Sequence, residues 1–146
     1  MAQRLNFREI NEKAANQMSA VGKHVGNIDV KLKALVELRV SQLNGCAFCV
    51  DLHCQELREA GETQQRIDCL TVWEECEFYE EYERVALSWA EALTFLEDSA
   101  GLDDLFDSLQ EIFNDEEIVD LTVIIAMMNA WNRMGIGFGR QPEQRA

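Results

Sequence analysis

Apolar residues recur at steps of three and four along most of the chain, which is the spacing of one helical face. This pattern predicts a first helix over roughly Phe7 to His24 and a second from about Asp29 to Leu43. Asp29 is a candidate N-cap for the second helix, because its carboxylate can accept from free backbone N–H groups. The predicted buried positions are Ile10, Ala14, Met18, Val21 and Val25 in the first helix, and Leu32, Leu35, Val36 and Val40 in the second.

Four further helices are predicted in the middle of the chain. They run from Cys46 to Ala60, from just after Thr63, from about Glu81 to Glu97, and from about Leu102 to Gln110. Gly61 is the residue expected just after the end of the helix from Cys46 to Ala60. In the helix after Thr63 the predicted buried positions are Ile67, Leu70 and Trp73. In the helix from about Glu81 to Glu97 they are Val85, Trp89, Leu93 and Leu96.

The last long helix is predicted to begin after Asn114, with Glu117 completing a capping box. It continues through "IVDLTVIIAMMNAWNRM", which is apolar almost all round and indicates burial in a core or a subunit interface. The glycine-rich tail "GIGFGRQPEQRA" is predicted to fray. Together the elements predict one all-α domain over residues 1–146, a bundle of about six to seven helices that forms a homo-oligomer.

Charge and composition narrow the function classes. The 146 residues carry a formal net charge of −14, which disfavours nucleic acid and anionic membranes as partners. No apolar run approaches the roughly 20 residues of a membrane span, and the first residues lack the apolar core of a signal peptide. We therefore expect a cytoplasmic protein, and the odd number of cysteines, five, argues against a full disulfide framework.

The segment "NGCAFCVDLHC", residues 44–54, concentrates the reactive chemistry. Cys46, Cys49 and His53 follow at steps of three and four, so a helix places them on one face. The partial positive charge of a helix N-terminus favours thiolates, and a histidine beside a thiol can act as its base. A second thiol one turn away can close a disulfide, so we predict Cα atoms roughly 4.4–6.8 Å apart.

Two other interpretations of this segment stay open. Cys46, Cys49 and His53 could be three ligands of zinc, although a structural zinc site takes four. The same residues could also be ordinary packing. For the other three cysteines and the other histidine we expect packing or a surface position; they are Cys54, Cys69, Cys76 and His24. Trp73 and Trp131 could line an apolar substrate pocket.

Four segments carry a family resemblance: "LRVSQLNGCAFCVDLH", "REAGETQQRIDCLTVWEE", "ERVALSWAEALTFLED" and "DLTVIIAMMNAWNRM". They resemble the alkylhydroperoxidase AhpD-like branch of the carboxymuconolactone decarboxylase family, over roughly residues 5 to 138. The resemblance implies an all-α fold in trimers or hexamers. It also implies a peroxidatic role for Cys49, a resolving role for Cys46 and a proton-relay role for His53. Decarboxylase members lack the dithiol, so decarboxylation is not implied.

One position departs from the family pattern. Redox members carry a relay glutamate at the position twelve residues before the first cysteine, where this chain has Ala34. Glu37 lies about one helical turn further on and near the same face, so it is a candidate replacement. A solvated surface charge is the other interpretation of Glu37.

The sequence as a whole predicts a cysteine-dependent peroxidase or thiol oxidoreductase with a catalytic set of Cys46, Cys49 and His53. Its expected partners are a hydroperoxide substrate and a dithiol or protein reductant, and no cofactor or resident metal is predicted. Two alternatives remain. One is a decarboxylase- or hydrolase-type enzyme that uses the cysteines little. The other is a non-enzymatic redox sensor or binding module in which the disulfide switches an interface.

Overall fold

The computed structural model describes residues 2–97 and 99–146, and within these ranges it is all-helical, as predicted. The α-helices are α1 (Phe7–Ile10), α2 (Glu12–Val21), α3 (Val30–Asn44), α4 (Ala47–Glu59), α5 (Gln64–Asp68), α6 (Glu81–Phe95), α7 (Leu102–Ile112) and α8 (Asp115–Phe138). Short 3₁₀ segments cover Gly22–His24 and Cys69–Glu75. No helix in the described ranges is long and apolar enough to cross a membrane.

The helix count exceeds the predicted six or seven partly because Asn11 divides the first predicted helix. Its backbone leaves the helical region (φ −131°, ψ 71°), and its side chain accepts from the Ala14 backbone N–H to cap α2. The break changes which face is buried. Ile10 is 68% exposed and Ala14 is also exposed, so their predicted burial is wrong. Phe7 and Ala15 are buried instead.

Helix α3 runs through the centre and packs against α4, α6 and α8. Asp29 caps it as predicted, because its carboxylate accepts from the backbone N–H groups of Lys31 and Leu32. Both sides of α3 are buried: Leu32, Val36 and Val40 join one apolar cluster with α8, and Leu35 joins a second with α4. The second cluster contains Ile67, Leu70 and Trp73, which confirms their predicted burial.

Helix α6 ends at Phe95, two residues before the predicted end, because Leu96 adopts a left-handed conformation (φ 53°). Such a conformation is uncommon for a residue with a branched side chain and stops α-helical hydrogen bonding. Leu96 is 64% exposed, so its predicted place on the buried face of the helix is wrong.

Helix α8 begins as predicted, with reciprocal hydrogen bonds between Asn114 and Glu117 forming the capping box. Its end is different, because the helix continues through the glycines to Phe138 instead of fraying after residue 134. Tertiary contacts stabilise this last turn. The Arg4 backbone N–H donates to the Phe138 carbonyl at 2.7 Å, and the rings of Phe7 and Phe138 lie 5.6 Å apart.

Candidate active site

A disulfide joins Cys46 and Cys49 at the start of α4. The Cα atoms are 5.3 Å apart, which confirms the predicted distance range. Cys46 is the N-cap residue, and its Sγ accepts from the Cys49 backbone N–H at 3.3 Å. Both residues are buried, with exposed fractions of 1% and 3%. The pair therefore lies at the positive end of α4 and is shielded from bulk solvent.

A network of amide side chains attaches the end of α3, just before Cys46, to α8. The Asn44 side chain donates to the Asn129 and Asn132 Oδ1 atoms, both at 2.9 Å, and Asn132 Nδ2 donates to Ser41 Oγ at 3.1 Å. Asn132 is fully buried, where an unpaired amide would be costly. Sequence reasoning missed this role, although polar residues inside an apolar helix were a visible signal.

Gly135 lets α8 approach the disulfide closely. A Cβ atom at this position would lie 3.1 Å from Cys46 Sγ and 3.7 Å from Cys49 Sγ. Two residues further on, Gly137 has open space at the same position. Gly135 thus belongs to the wall around the two sulfurs, which sequence analysis did not reveal because the contact joins residues far apart in the chain.

The Gly135→Ala variant should show this close contact as lost stability. Overpacking a buried contact costs about 1–3 kcal/mol, whereas alanine in place of glycine inside a helix gains roughly 1 kcal/mol. Gly137→Ala is the matched control, because it receives a similar helical gain without the contact. We expect urea unfolding of the oxidised proteins to place Gly135→Ala about 1–3 kcal/mol below Gly137→Ala. Equal stabilisation of both variants would contradict the close contact.

A cavity of about 410 Å³ opens beside the disulfide, and Cys49 lines it. Its walls are largely apolar and aromatic, and include Phe48, Leu52, Val123, Met127, Met128 and Trp131. Of the two tryptophans that could line a pocket, Trp131 does so, whereas Trp73 packs in the second apolar cluster. The size suits a small organic molecule.

His53 lies in the cavity wall one turn after Cys49 and is buried. Its Nδ1 is 2.7 Å from Glu56 Oε2, and its Nε2 is 3.1 Å from Met128 Sδ. An ionised carboxylate only accepts, so Nδ1 carries the proton and donates to Glu56. This hydrogen bond lowers the pKa of Glu56. In neutral imidazole, Nε2 then carries the ring's lone pair and lies against Met128 Sδ.

Glu37 also lines the cavity, and acidic oxygens of Glu37 and Glu56 lie within 4.8 Å of a His53 ring nitrogen and of each other. Burial raises the pKa of Glu37, although the nearby charge of His53 acts in the opposite direction. Lys33 Nζ approaches the Glu37 carboxylate to 3.7 Å. Ala34, at the family's glutamate position, is buried in the second apolar cluster instead. Glu37 is thus a cavity residue rather than a fully solvated charge.

The other three cysteines and His24 are not among the residues that line the cavity. Cys54 and Cys76 are half-buried beside the second apolar cluster, Cys69 is half-buried, and His24 is exposed. Burial raises the pKa of the Cys54 thiol, which reduces its reactivity at neutral pH. In the disulfide state, the Cys46 and Cys49 sulfurs cannot serve as thiolate ligands of zinc.

Residues 12–92 match the carboxymuconolactone decarboxylase family. Over 143 residues, the chain is 38% identical to YdfG, an uncharacterised protein of Bacillus subtilis, and the match covers 97% of each chain. It also resembles the crystal structure of a protein of unknown function from Agrobacterium tumefaciens, a candidate antioxidant defence protein AhpD. That match has a TM-score of 0.93 and 37% identity, and it covers 99% of this chain and all of the other.

A more distant likeness is to the debrominase Bmp8. The TM-score is 0.81, with 92% of this chain and 74% of the Bmp8 chain covered. At 21% identity this match establishes a shared fold.

Proposed function

The chain belongs to the carboxymuconolactone decarboxylase family as an AhpD-like member, and on that premise we propose that it is a cysteine-dependent peroxidase. The observation that carries the proposal is the position of Cys49. Its sulfur pairs with Cys46, and the residue lines a cavity that His53 also lines. The proposal assigns Cys49 as the nucleophile, Cys46 as the resolving partner and His53 as the base, with the cavity as the space for a substrate.

In the proposed reaction, the Cys49 thiolate attacks the terminal oxygen of a hydroperoxide ROOH. The O–O bond breaks, Cys49 becomes a sulfenic acid, and the leaving alkoxide takes a proton to depart as the alcohol ROH. The Cys46 thiolate then attacks the Cys49 sulfur, so that an S–S bond forms and hydroxide leaves with a proton as water. A dithiol reductant restores both thiols by exchange and is itself oxidised to a disulfide.

His53 supplies the proton transfers in this scheme. With Nδ1–H donating to Glu56, the proposal has the lone pair on Nε2, which faces Met128 Sδ in the disulfide state, accept the thiol proton and return it to the alkoxide. The half-buried Glu37 carboxylate near His53 is the proposed route by which protons are exchanged with solvent. Glu37 therefore replaces the family's relay glutamate in the proposal, from a position one helical turn later.

A single-turnover experiment tests the proposal without knowledge of the reductant. The protein is reduced with dithiothreitol, desalted and mixed with one equivalent of cumene hydroperoxide. We expect one cumyl alcohol formed and two thiols lost per chain, and repeated turnover once a dithiol is supplied.

Oxidation without turnover across several dithiol donors would favour the sensor, and lactone turnover without a dithiol would favour the decarboxylase-type enzyme. 2,3,4-Tribromopyrrole is tested in parallel, since Bmp8 shares the fold and a Bmp8 variant has been crystallised with this compound.

We also propose a homo-oligomer, as a trimer or hexamer, in the reducing cytoplasm, where a dithiol donor is available. Apolar side chains remain on the surface of the described chain, among them Val119 of α8, which is 60% exposed, and Val30. Association would remove these side chains from water. Light scattering at micromolar concentration should therefore give about three or six times the 16.7 kDa of one chain. A stable monomer would contradict this prediction.

A further inference from the structure

Two arginines from opposite ends of the chain line the cavity. Arg8 follows the first residue of α1, and Arg140 lies just beyond α8. Each guanidinium rests on an aromatic ring of the same cavity: Arg140 lies 3.6 Å from the centre of the Phe48 ring, and Arg8 lies 4.9 Å from that of Trp131. These contacts hold the charged groups against the apolar wall.

Neither guanidinium forms an ion pair within 4.0 Å or a side-chain hydrogen bond with the residues that the structure describes. Other arginines do have acidic partners, such as Arg39 with Glu91 and Arg145 with Asp51. In a chain with 27 acidic and 13 basic residues, two adjacent cations without a paired carboxylate are unexpected. Burial and the positive charge of Arg8 both lower the pKa of Arg140, as expected for a guanidinium that has no paired carboxylate.

We propose that Arg8 and Arg140 bind the carboxylate of the substrate, which is an amphipathic organic acid bearing a hydroperoxide on its apolar part. Guanidinium groups bind carboxylates through paired, charge-assisted hydrogen bonds. The apolar part of the substrate would lie along Phe48 and Trp131 and bring the peroxide to Cys49. This inference rests on the proposed peroxidase function for its chemistry, although the anion site itself can be tested without it.

The acidic groups in the cavity wall beside His53 support one orientation. Glu37 and Glu56 lie beside His53, so a carboxylate would be repelled there. The net charge of −14 would also repel an anionic substrate from the protein as a whole. A local pair of cations is the feature that such a substrate requires.

Kinetics with a matched substrate pair test the proposal. Linoleic acid hydroperoxide carries the carboxylate, and its methyl ester removes only that charge. In Arg140→Gln we expect kcat/KM for the acid to fall about 10- to 100-fold, mainly through KM, and kcat/KM for the ester to stay within twofold. Arg140→Lys should keep part of the preference. Arg58→Gln, an exposed charge on α4, is the control and should leave both substrates unchanged. Equal losses for acid and ester would overturn the proposal.

Calorimetry with an unreactive ligand separates this proposal from the proposed function. The oxidised wild-type protein should bind dodecanoate, and Arg140→Gln and Arg8→Gln should each bind it at least about tenfold more weakly. Two arginine variants are used so that poor folding of one does not decide the result. Binding with no peroxide turnover would refute the peroxidase and retain the anion site. Turnover with no difference between acid and ester, and no dodecanoate binding, would refute the anion site and retain the peroxidase.

Discussion

Replacing Cys49 by serine is expected to abolish the reaction with hydroperoxides. A serine hydroxyl has no thiolate form at neutral pH, and loss of a catalytic nucleophile lowers turnover by on the order of 10⁶-fold. The Cys46→Ser variant should still be oxidised, because Cys49 keeps its place in the cavity beside His53. Its sulfenic acid would then persist, since no resolving thiol is present. Dimedone labelling followed by mass spectrometry distinguishes the two variants.

The order of the two thiols is the point that this experiment decides. Cys46 is the N-cap of α4, so the helix dipole alone favours Cys46 as the first thiol to react. The cavity and the base favour Cys49, which is one turn from His53 and lines the same space. Cys54→Ser is the matched control and should behave as wild type. Labelling of Cys46 in Cys49→Ser as fast as of Cys49 in Cys46→Ser would indicate a symmetric dithiol.

His53→Gln should have the second largest effect, a fall in kcat/KM of about 10²- to 10⁴-fold, the usual range for a general base. Glutamine is also polar, but it cannot accept and release a proton near neutral pH. The decrease should appear in the rate of sulfenic acid formation, measured by stopped-flow mixing with cumene hydroperoxide. Disulfide formation after slow oxidation should still occur.

The only other histidine in the chain provides the control for this prediction. His24 is exposed and lies in the 3₁₀ segment outside the cavity wall, so His24→Gln should match the wild-type rate. Glu56→Gln should lose less activity than His53→Gln, because Glu56 orients the ring without itself carrying the transferred proton. A His53→Gln enzyme within twofold of wild type would refute the relay.

Features set by neighbouring residues were predictable from the sequence. The caps at Asp29 and Asn114 are examples, because the cap residue and its backbone partners lie within three positions of each other. The Cys46–Cys49 distance follows in the same way from helical spacing. The break at Asn11 was not predicted, since the run of apolar residues around it continues the helical period and outweighs a single cap signal.

Contacts between residues far apart in the chain could not be predicted from the pattern of apolar residues. Gly135 was assigned to a fraying tail, because nothing near it in the chain shows that two sulfurs lie against it. The meeting of Arg8 with Arg140 likewise depends on how the two chain ends pack. Glu37 was identified as a candidate only through its helical distance from Ala34. Its burial and its approach to His53 required the tertiary structure.

The contact between the segments around residues 4–8 and 136–140 has an evolutionary consequence. Phe7, Arg8 and Arg140 line the cavity, yet they lie outside the 12–92 segment that carries the family match and the dithiol. Mutations in the two outer segments can therefore reshape this part of the cavity wall while the sulfur chemistry of α4 stays intact. Lineages could acquire new substrates in this way without passing through an inactive intermediate. Comparison of these two short segments among relatives is thus the most direct way to sort them by substrate.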